Sequence, residues 1–178
     1  MADTAKQYQQ VIIQCAAIFQ KKLEDYGAAW RALRPSSVTD QLYIKAKRIR
    51  SIQEKKVQKI EDNITDEFIG IVNYAAMAII QLEYGAVVEI DLSKEQAIDA
   101  HQKVLNEAFE LMNNKNHDYD EAWRNMRISS LTDIILVKLL RIKQIENNEG
   151  VTIASEGVAS NYFDIINYAV FALILLNL

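Results

Sequence analysis

One segment of this chain is written twice. Asp25-Tyr26-Gly27-Ala28-Ala29-Trp30-Arg31 returns 93 positions later as Asp118-Tyr119-Asp120-Glu121-Ala122-Trp123-Arg124, and Ser36-Ser37-Val38-Thr39-Asp40 returns as Ser129-Ser130-Leu131-Thr132-Asp133. Lys45, Arg48 and Ile49 match Lys138, Arg141 and Ile142; after a one-residue insertion, Asn73-Tyr74-Ala75 matches Asn167-Tyr168-Ala169. Whatever the first copy folds into, the second must fold into as well. The period lies far beyond the roughly 20–50 residues of solenoid repeats, so the chain reads as two fused pseudo-subunits and not as a stacked array. The repeat units span 6–84 and 95–178, and halves of this size are expected to share one core, making 1–178 a single composite domain.

The material of each copy is helical. Five glycines and one proline in 178 residues leave too few turn formers for a multistranded sheet, while Ala, Ile, Leu, Lys, Gln and Glu abound. The spacing predicts a first helix over about 4–25, with Tyr8, Ile12, Cys15, Ile18, Phe19 and Leu23 on one face. A loop holding Tyr26, Gly27, Trp30 and Pro35 follows, then a capping signal at Ser37–Asp40 opens a second helix to about Lys59. A third runs from about Asn63 to Glu83, with Ile64, Phe68, Ile71, Ala75, Ala78 and Leu82 together. After a Val- and Ile-rich linker, read as extended, Ser93-Lys94-Glu95-Gln96 carries a second capping signal. The second unit's helices are expected over about 94–115, 131–147 and 157–177. The fold class is all-α, with six principal helices in two three-helix units packed about an approximate two-fold axis, because each unit has more apolar face than it can bury alone.

Composition also excludes. A net charge of −4 without a basic face argues against broad nucleic-acid binding through phosphate neutralisation. The single Cys15 can form no internal disulfide, and Met1–Lys6 runs straight into an amphipathic pattern with no signal peptide, so the expected location is the cytoplasm. The apolar run from Ile165 to Leu178 is too short to cross a bilayer and is read as a buried helix, with no membrane association. No GxSxG, Walker loop, HExxH or CxxC occurs, and no catalytic residue is assigned.

Candidate chemistry rests on carboxylates and cations. Asp62, Asp66, Gly70 and Asn73 fall on one stripe of the third helix, where the second unit places Glu156, Ser160, Asp164 and Asn167. Such acids, with Glu67 beside them, suit Mg²⁺, which takes carboxylate oxygens and completes its shell with water and phosphate. Acids at a helix start equally favour the macrodipole without binding anything. Asp164 is different, because it lies mid-helix between Phe163 and Ile165, where an unpaired carboxylate is expensive. Lys45 with Arg48 and Lys138 with Arg141 are three apart, hence neighbours on the second helix, and can hold phosphate; a solvated face is the plainer reading. Tyr26, Trp30, Tyr119 and Trp123 could stack on a base or simply anchor the loop. Asp25 and Asp118, near Lys22 and Lys115, either end the first helix or reach a metal. His101 and His117 lack metal-ligand spacing and are read as structural or surface residues.

The pattern Lys-x-x-Asp-Tyr, Trp-Arg, Ser-x-x-Thr-Asp, Lys-x-x-Arg and Asn-Tyr-Ala, present at Lys22 to Ala75 and again at Lys115 to Ala169, resembles the DUF1599, or nucleotide modification associated domain 1, family. That family is similar to the all-α nucleoside triphosphate pyrophosphohydrolases of the MazG and dimeric dUTPase group, which bind Mg²⁺ through ExxE and ExxD pairs on successive helices. The ExxD position here reads Glu67-Phe68-Ile69-Gly70 and Asn161-Tyr162-Phe163-Asp164, so each copy keeps one acid of the two. The resemblance implies a Mg²⁺-dependent cleavage of a nucleoside triphosphate between its α and β phosphates, or a nucleotide-binding or assembly module of the same fold without hydrolysis. Asp62, Asp66, Glu67, Glu156 and Asp164 would hold metal; Lys45, Arg48, Lys138 and Arg141 would hold phosphate. Asp25, Tyr26, Trp30, Asn73, Asp118, Tyr119, Trp123 and Asn167 would surround the nucleotide, and association into a homodimer is a further expectation. A helical scaffold with no ligand is the remaining reading.

Overall fold

The computed structural model describes residues 3–55, 64–152 and 156–178, the side chain of Tyr119 excepted. These residues form six α-helices and no strand: α1 Thr4–Tyr26, α2 Pro35–Lys55, α3 Ile64–Tyr84, α4 Lys94–Tyr119, α5 Ile128–Asn147 and α6 Val158–Leu175. A 3₁₀ turn precedes α2 at Ala29–Ala32 and another precedes α5 at Ala122–Asn125, so each repeat runs helix, 3₁₀ turn, helix, helix.

Helix boundaries depart from the sequence expectation where local chemistry outweighs periodicity. α2 begins at Pro35 and not at Ser37, because proline's fixed φ and missing N–H suit a first helical position. The Thr39 hydroxyl then donates to the Pro35 carbonyl at 3.2 Å instead of capping an amide. α5 likewise starts at Ile128, before 131, and α4 continues to Tyr119, past 115. The chain leaves α1 through Gly27 at φ 59°, and the matching turn after α4 is made by Asp120 at φ 51°, a left-handed conformation that aspartate tolerates. The capping box before α4 forms as read: the Ser93 hydroxyl accepts from the Gln96 N–H at 3.1 Å and the Gln96 amide oxygen accepts from the Ser93 N–H at 3.0 Å.

Buried side chains from both repeats form one continuous apolar cluster. α3 and α6 pack together at its centre, α2 and α5 flank them and touch each other, and α1 and α4 each lie against the other repeat's third helix. Of the face read on α1, Tyr8, Ile12, Cys15, Phe19 and Leu23 are buried; on α3, Phe68, Ile71, Ala75 and Ala78 are buried but Leu82 is exposed. α6 is long and apolar enough by composition to cross a membrane, yet 61% of it is buried inside the bundle.

The two repeats hold each other through contacts that come in matched pairs. The Tyr8 hydroxyl donates to Asn167 Oδ1 at 2.6 Å; His101, which stands where Tyr8 stands in the other copy, places Nε2 3.0 Å from Asn73 Oδ1. Thr39 meets the Glu146 carboxylate at 3.1 Å while the Gln53 amide donates to Thr132 at 3.1 Å. Lys143 pairs with Asp40 at 3.0 Å and Arg50 with Asp133 at 3.7 Å. Arg31, fully buried, forks onto Asp91 at 3.0 and 3.1 Å and donates to the Gly85 carbonyl at 2.7 Å, fixing the linker that leads into α4. Its counterpart Arg124 donates to Thr4 at 2.6 Å and Gln7 at 2.7 Å at the start of α1. In the first three pairs each repeat supplies a partner to the other; Arg124 likewise reaches α1, whereas Arg31 holds the linker.

Candidate functional site

Between the first helix, the 3₁₀ turn and the third helix of each repeat lies a cleft. The second repeat's cleft is about 470 Å³ and is lined by Lys115, Asp118, Trp123, Asp164, Tyr168 and Phe171 among others. In the first repeat two adjoining hollows of about 330 and 400 Å³ share Phe19, Lys22, Tyr74 and Met77. The smaller adds Tyr26 and Trp30, the larger Lys45, Asp66, Gly70 and Asn73. The two clefts are therefore built from the same positions, Lys22 matching Lys115, Trp30 matching Trp123, Tyr74 matching Tyr168, and Gly70 matching Asp164.

In the second cleft the carboxylate of Asp164, the ammonium of Lys115 and the indole N–H of Trp123 all have partners from within the chain. The mid-helix carboxylate of Asp164 accepts from Lys115 Nζ at 2.7 Å on one oxygen and from Lys138 Nζ at 2.9 Å on the other. Burial alone would raise its pKa, but the two lysine hydrogen bonds and charges outweigh burial and hold it below the usual carboxylate range. For Lys115 burial would lower the pKa, and the Asp164 hydrogen bond with the nearby charges of Asp164 and Glu156 holds it above the ordinary lysine value. Trp123 is buried, stacked on Phe171 with ring centres 4.2 Å apart and covered by the Arg124 guanidinium at 4.4 Å. Its indole N–H donates to Asn116 at 3.3 Å.

The first cleft lacks those internal partners. Gly70 stands where Asp164 stands, and a Cβ there would come within 3.1 Å of Lys45 Cε and Nζ, so Lys45 lies across the glycine. The acid on this helix stands three residues earlier, at Glu67, which accepts from Arg48 at 2.9 Å and sits 3.7 Å from Lys45, beyond hydrogen-bond reach. Lys45 makes a cation–π approach to Tyr74 at 5.4 Å. Lys22 is exposed, with no partner among the described residues. Leu23 replaces Asn116, and the buried Trp30 indole N–H has no hydrogen-bond partner among the described residues.

The remaining sequence candidates are spread between these settings. Asp66 is exposed and lines the first cleft; Asp62 lies outside the described residues. Arg141 is exposed and lines neither cleft, because Asn161 occupies the place of Glu67 and donates to the Gly157 carbonyl at 3.0 Å. Asn73 and Asn167 line the clefts, but their amides are held by the cross-repeat contacts, and the Asn73 Nδ2 donates to the Cys15 carbonyl at 2.9 Å. That bond turns Asn73 Oδ1 toward His101, so the imidazole Nε2 carries the proton. Tyr26 is 73% exposed on the rim of the first cleft, Asp25 is exposed, and Asp118 lines the second beside His117 at 3.3 Å.

The acids read as metal ligands are not brought into one cluster: among the described residues no three His, Cys, Asp or Glu side chains converge. At Asp164 the donor set does not suit a divalent cation, since ammonium groups occupy both oxygens and repel a metal. His101 is a core residue, stacked on Phe19 at 3.9 Å, and burial pushes its pKa down to about 3. Lys22 and Lys115, more than neighbours of Asp25 and Asp118, head the Lys-x-x-Asp-Tyr motif in both copies and line both clefts. Tyr74 and Tyr168 are cleft residues too, signalled in the sequence only by the repeated Asn-Tyr-Ala motif that carries them there.

Comparison with known proteins agrees with the duplication. No curated protein and no solved structure matches the chain. The profile of the nucleotide modification associated domain 1 family matches residues 22–82 and again residues 115–176, more than half of the chain and one match in each repeat. With both copies matched and six helices laid out as two like units, the chain belongs to the DUF1599 family, nucleotide modification associated domain 1, as a tandem pair.

Proposed function

We propose that the chain is a nucleotide-binding module, acting as one composite domain whose repeats are related by an approximate two-fold axis. The observation that carries this reading is the convergence of Lys22 and Lys45 with Tyr74 and Trp30 around the two adjoining hollows of the first repeat, matched in the second by Lys115 with Tyr168 and Trp123. Lysine supplies a mobile point charge for phosphate, and aromatic rings supply faces and edges for a base. The hollows fall within the roughly 300–1,000 Å³ range of small-molecule sites. The family's description, nucleotide modification associated, supports the same ligand class.

A second reading, cleavage of a nucleoside triphosphate between its α and β phosphates, is favoured by Asp66. Its carboxylate lines the first cleft beside Lys45, and no partner for it stands among the described residues. In this reading Asp66 would hold a Mg²⁺ carried on the phosphates, and the ion would polarise the phosphoryl group and activate water. Lys22 and Lys45 would offset the developing charge.

Titration of the purified protein with nucleoside mono-, di- and triphosphates, with and without Mg²⁺, tests both readings when heat and pyrophosphate release are followed together. Saturable binding without turnover establishes the module. Mg²⁺-dependent pyrophosphate release that falls at least about tenfold in Asp66→Asn establishes the hydrolase. No binding by any nucleotide refutes both.

A further inference from the structure

We infer that the two clefts are not equivalent: the first repeat's cleft is an open site for a phosphate group, and in the second the same anion position is filled by the chain's own carboxylate, Asp164. This deepens the nucleotide-binding reading and rests on it for the ligand class. In the second repeat the geometry displays an occupied anion site, one carboxylate held by Lys115 at 2.7 Å and Lys138 at 2.9 Å. In the first repeat the same two lysines, Lys22 and Lys45, are present and the anion is replaced by a glycine. Lys45 lies across Gly70, a loose ion pair with Glu67 at 3.7 Å its only anionic contact and no hydrogen bond to it among the described residues; Lys22 is exposed and has no partner among them.

A second, independent difference points the same way. The indole N–H of Trp123 is satisfied by Asn116, whereas Leu23 leaves the matching N–H of Trp30 buried without an acceptor among the described residues. A buried donor without an acceptor is costly, and a hydroxyl or carbonyl oxygen on a ligand would supply the acceptor once the side chains covering the N–H shift to admit it. Both changes remove an internal partner from the same cleft, one anionic and one neutral. Phosphate and a sugar or base oxygen are the two chemistries a nucleotide brings. Trp30 and Lys22 border one hollow, Lys22 and Lys45 the adjoining one, so a single molecule can span both.

The test uses tripolyphosphate, which carries phosphate without base or sugar, alongside a nucleoside triphosphate, in titration calorimetry on the whole chain. Wild type is expected to take one tripolyphosphate. Gly70→Asp, which rebuilds the internal carboxylate at the cost only of displacing the flexible end of Lys45, is expected to weaken it at least about tenfold. Lys22→Met, an exposed substitution that leaves Gly70 alone, is expected to do the same. Asp164→Gly is expected to open a second site and raise the stoichiometry to two. Two equal sites in wild type, or wild-type affinity in both Gly70→Asp and Lys22→Met with folding intact, overturns the inference. Tripolyphosphate binding that follows this pattern while nucleotides bind no better would sink the nucleotide reading and leave the phosphate site standing. Nucleotide binding untouched by Gly70→Asp would do the reverse.

Discussion

Replacing Asp164 by asparagine keeps the shape of the side chain and removes its charge, and the surroundings set the cost. The asparagine oxygen can still accept from one lysine, but its NH₂ then faces the other ammonium. Lys138 loses most, because its side chain is 17% exposed against 56% for Lys115, which can swing into water. Exposed ion pairs are worth about 0–1 kcal/mol, and breaking a buried one costs about 3–5. A carboxylate 14% exposed, bridging one half-buried and one solvated lysine, belongs between these, at about 2–3 kcal/mol. For a chain of this length that is a fall in melting temperature of about 5–10 °C. The pH dependence has a definite sign. A carboxyl whose folded pKa is depressed contributes stability fully above its unfolded pKa, near 3.9, and loses that contribution as pH falls through the lower folded value. The gap between wild type and Asp164→Asn should therefore be full at pH 7 and shrink below about pH 4. Thermal unfolding of both proteins across that range measures it. An asparagine variant that melts at or above wild type at pH 7 would refute the account of Asp164 as an internal counter-ion.

Two further outcomes follow from the cross-repeat contacts. His101 is neutral when folded, with its pKa pushed down to about 3 by burial, and titrates near 6.5 when unfolded, so stability is complete above about pH 6.5 and falls by up to about 1.4 kcal/mol per pH unit below it. Chemical denaturation at pH 7, 6 and 5 should show wild type losing stability faster than His101→Gln; parallel curves would show that burial does not hold the imidazole neutral. Lys143→Glu sets a like charge against Asp40 and is expected to cost about 1 kcal/mol, which Asp40→Lys in the same chain should restore. Additive effects in that double-mutant cycle would mean that the α2–α5 ion pair contributes nothing.

The duplication made the architecture legible because a repeated amphipathic pattern constrains both copies at once, and the helices fall where their apolar spacing puts them. Their ends were less legible, since Pro35 at a first helical position and the left-handed turn at Asp120 are decided by single residues and not by periodicity. Asp164 stood out in the sequence through its apolar neighbours, but its partners did not. Lys115 and Lys138 lie on α4 and α5, and spacing along a helix reveals only neighbours three and four residues apart. His101 had a usable signal that spacing to other histidines concealed: the same 93-position offset sets it opposite Tyr8, and both make the same cross-repeat bond to an Asn-Tyr-Ala asparagine.

How the two copies have diverged separates structure from site. At the seam between repeats, differences preserve the interaction: Tyr8 against His101, Gln53 against Glu146 and Arg50 against Lys143 each reach the same kind of partner in the other copy. In the clefts the differences run one way. Glu67 and Asp164 put the third-helix acid one turn apart, a displacement of about 4.5 Å along the axis for three residues. At the later position the acid neutralises both lysines of its cleft; at the earlier one it engages Arg48 at 2.9 Å, stands 3.7 Å from Lys45, and leaves both lysines without a hydrogen-bonded anion among the described residues. Arg141, deprived of an acid by Asn161, is left exposed in exchange. A scaffold has no use for a cleft whose twin is satisfied while its own indole N–H, at Trp30, is buried without an acceptor among the described residues, because such a donor lowers stability without return. The asymmetry is intelligible if the first cleft receives its anion and its acceptor from outside the chain, while the second keeps the fold of a binding site and supplies the contents itself.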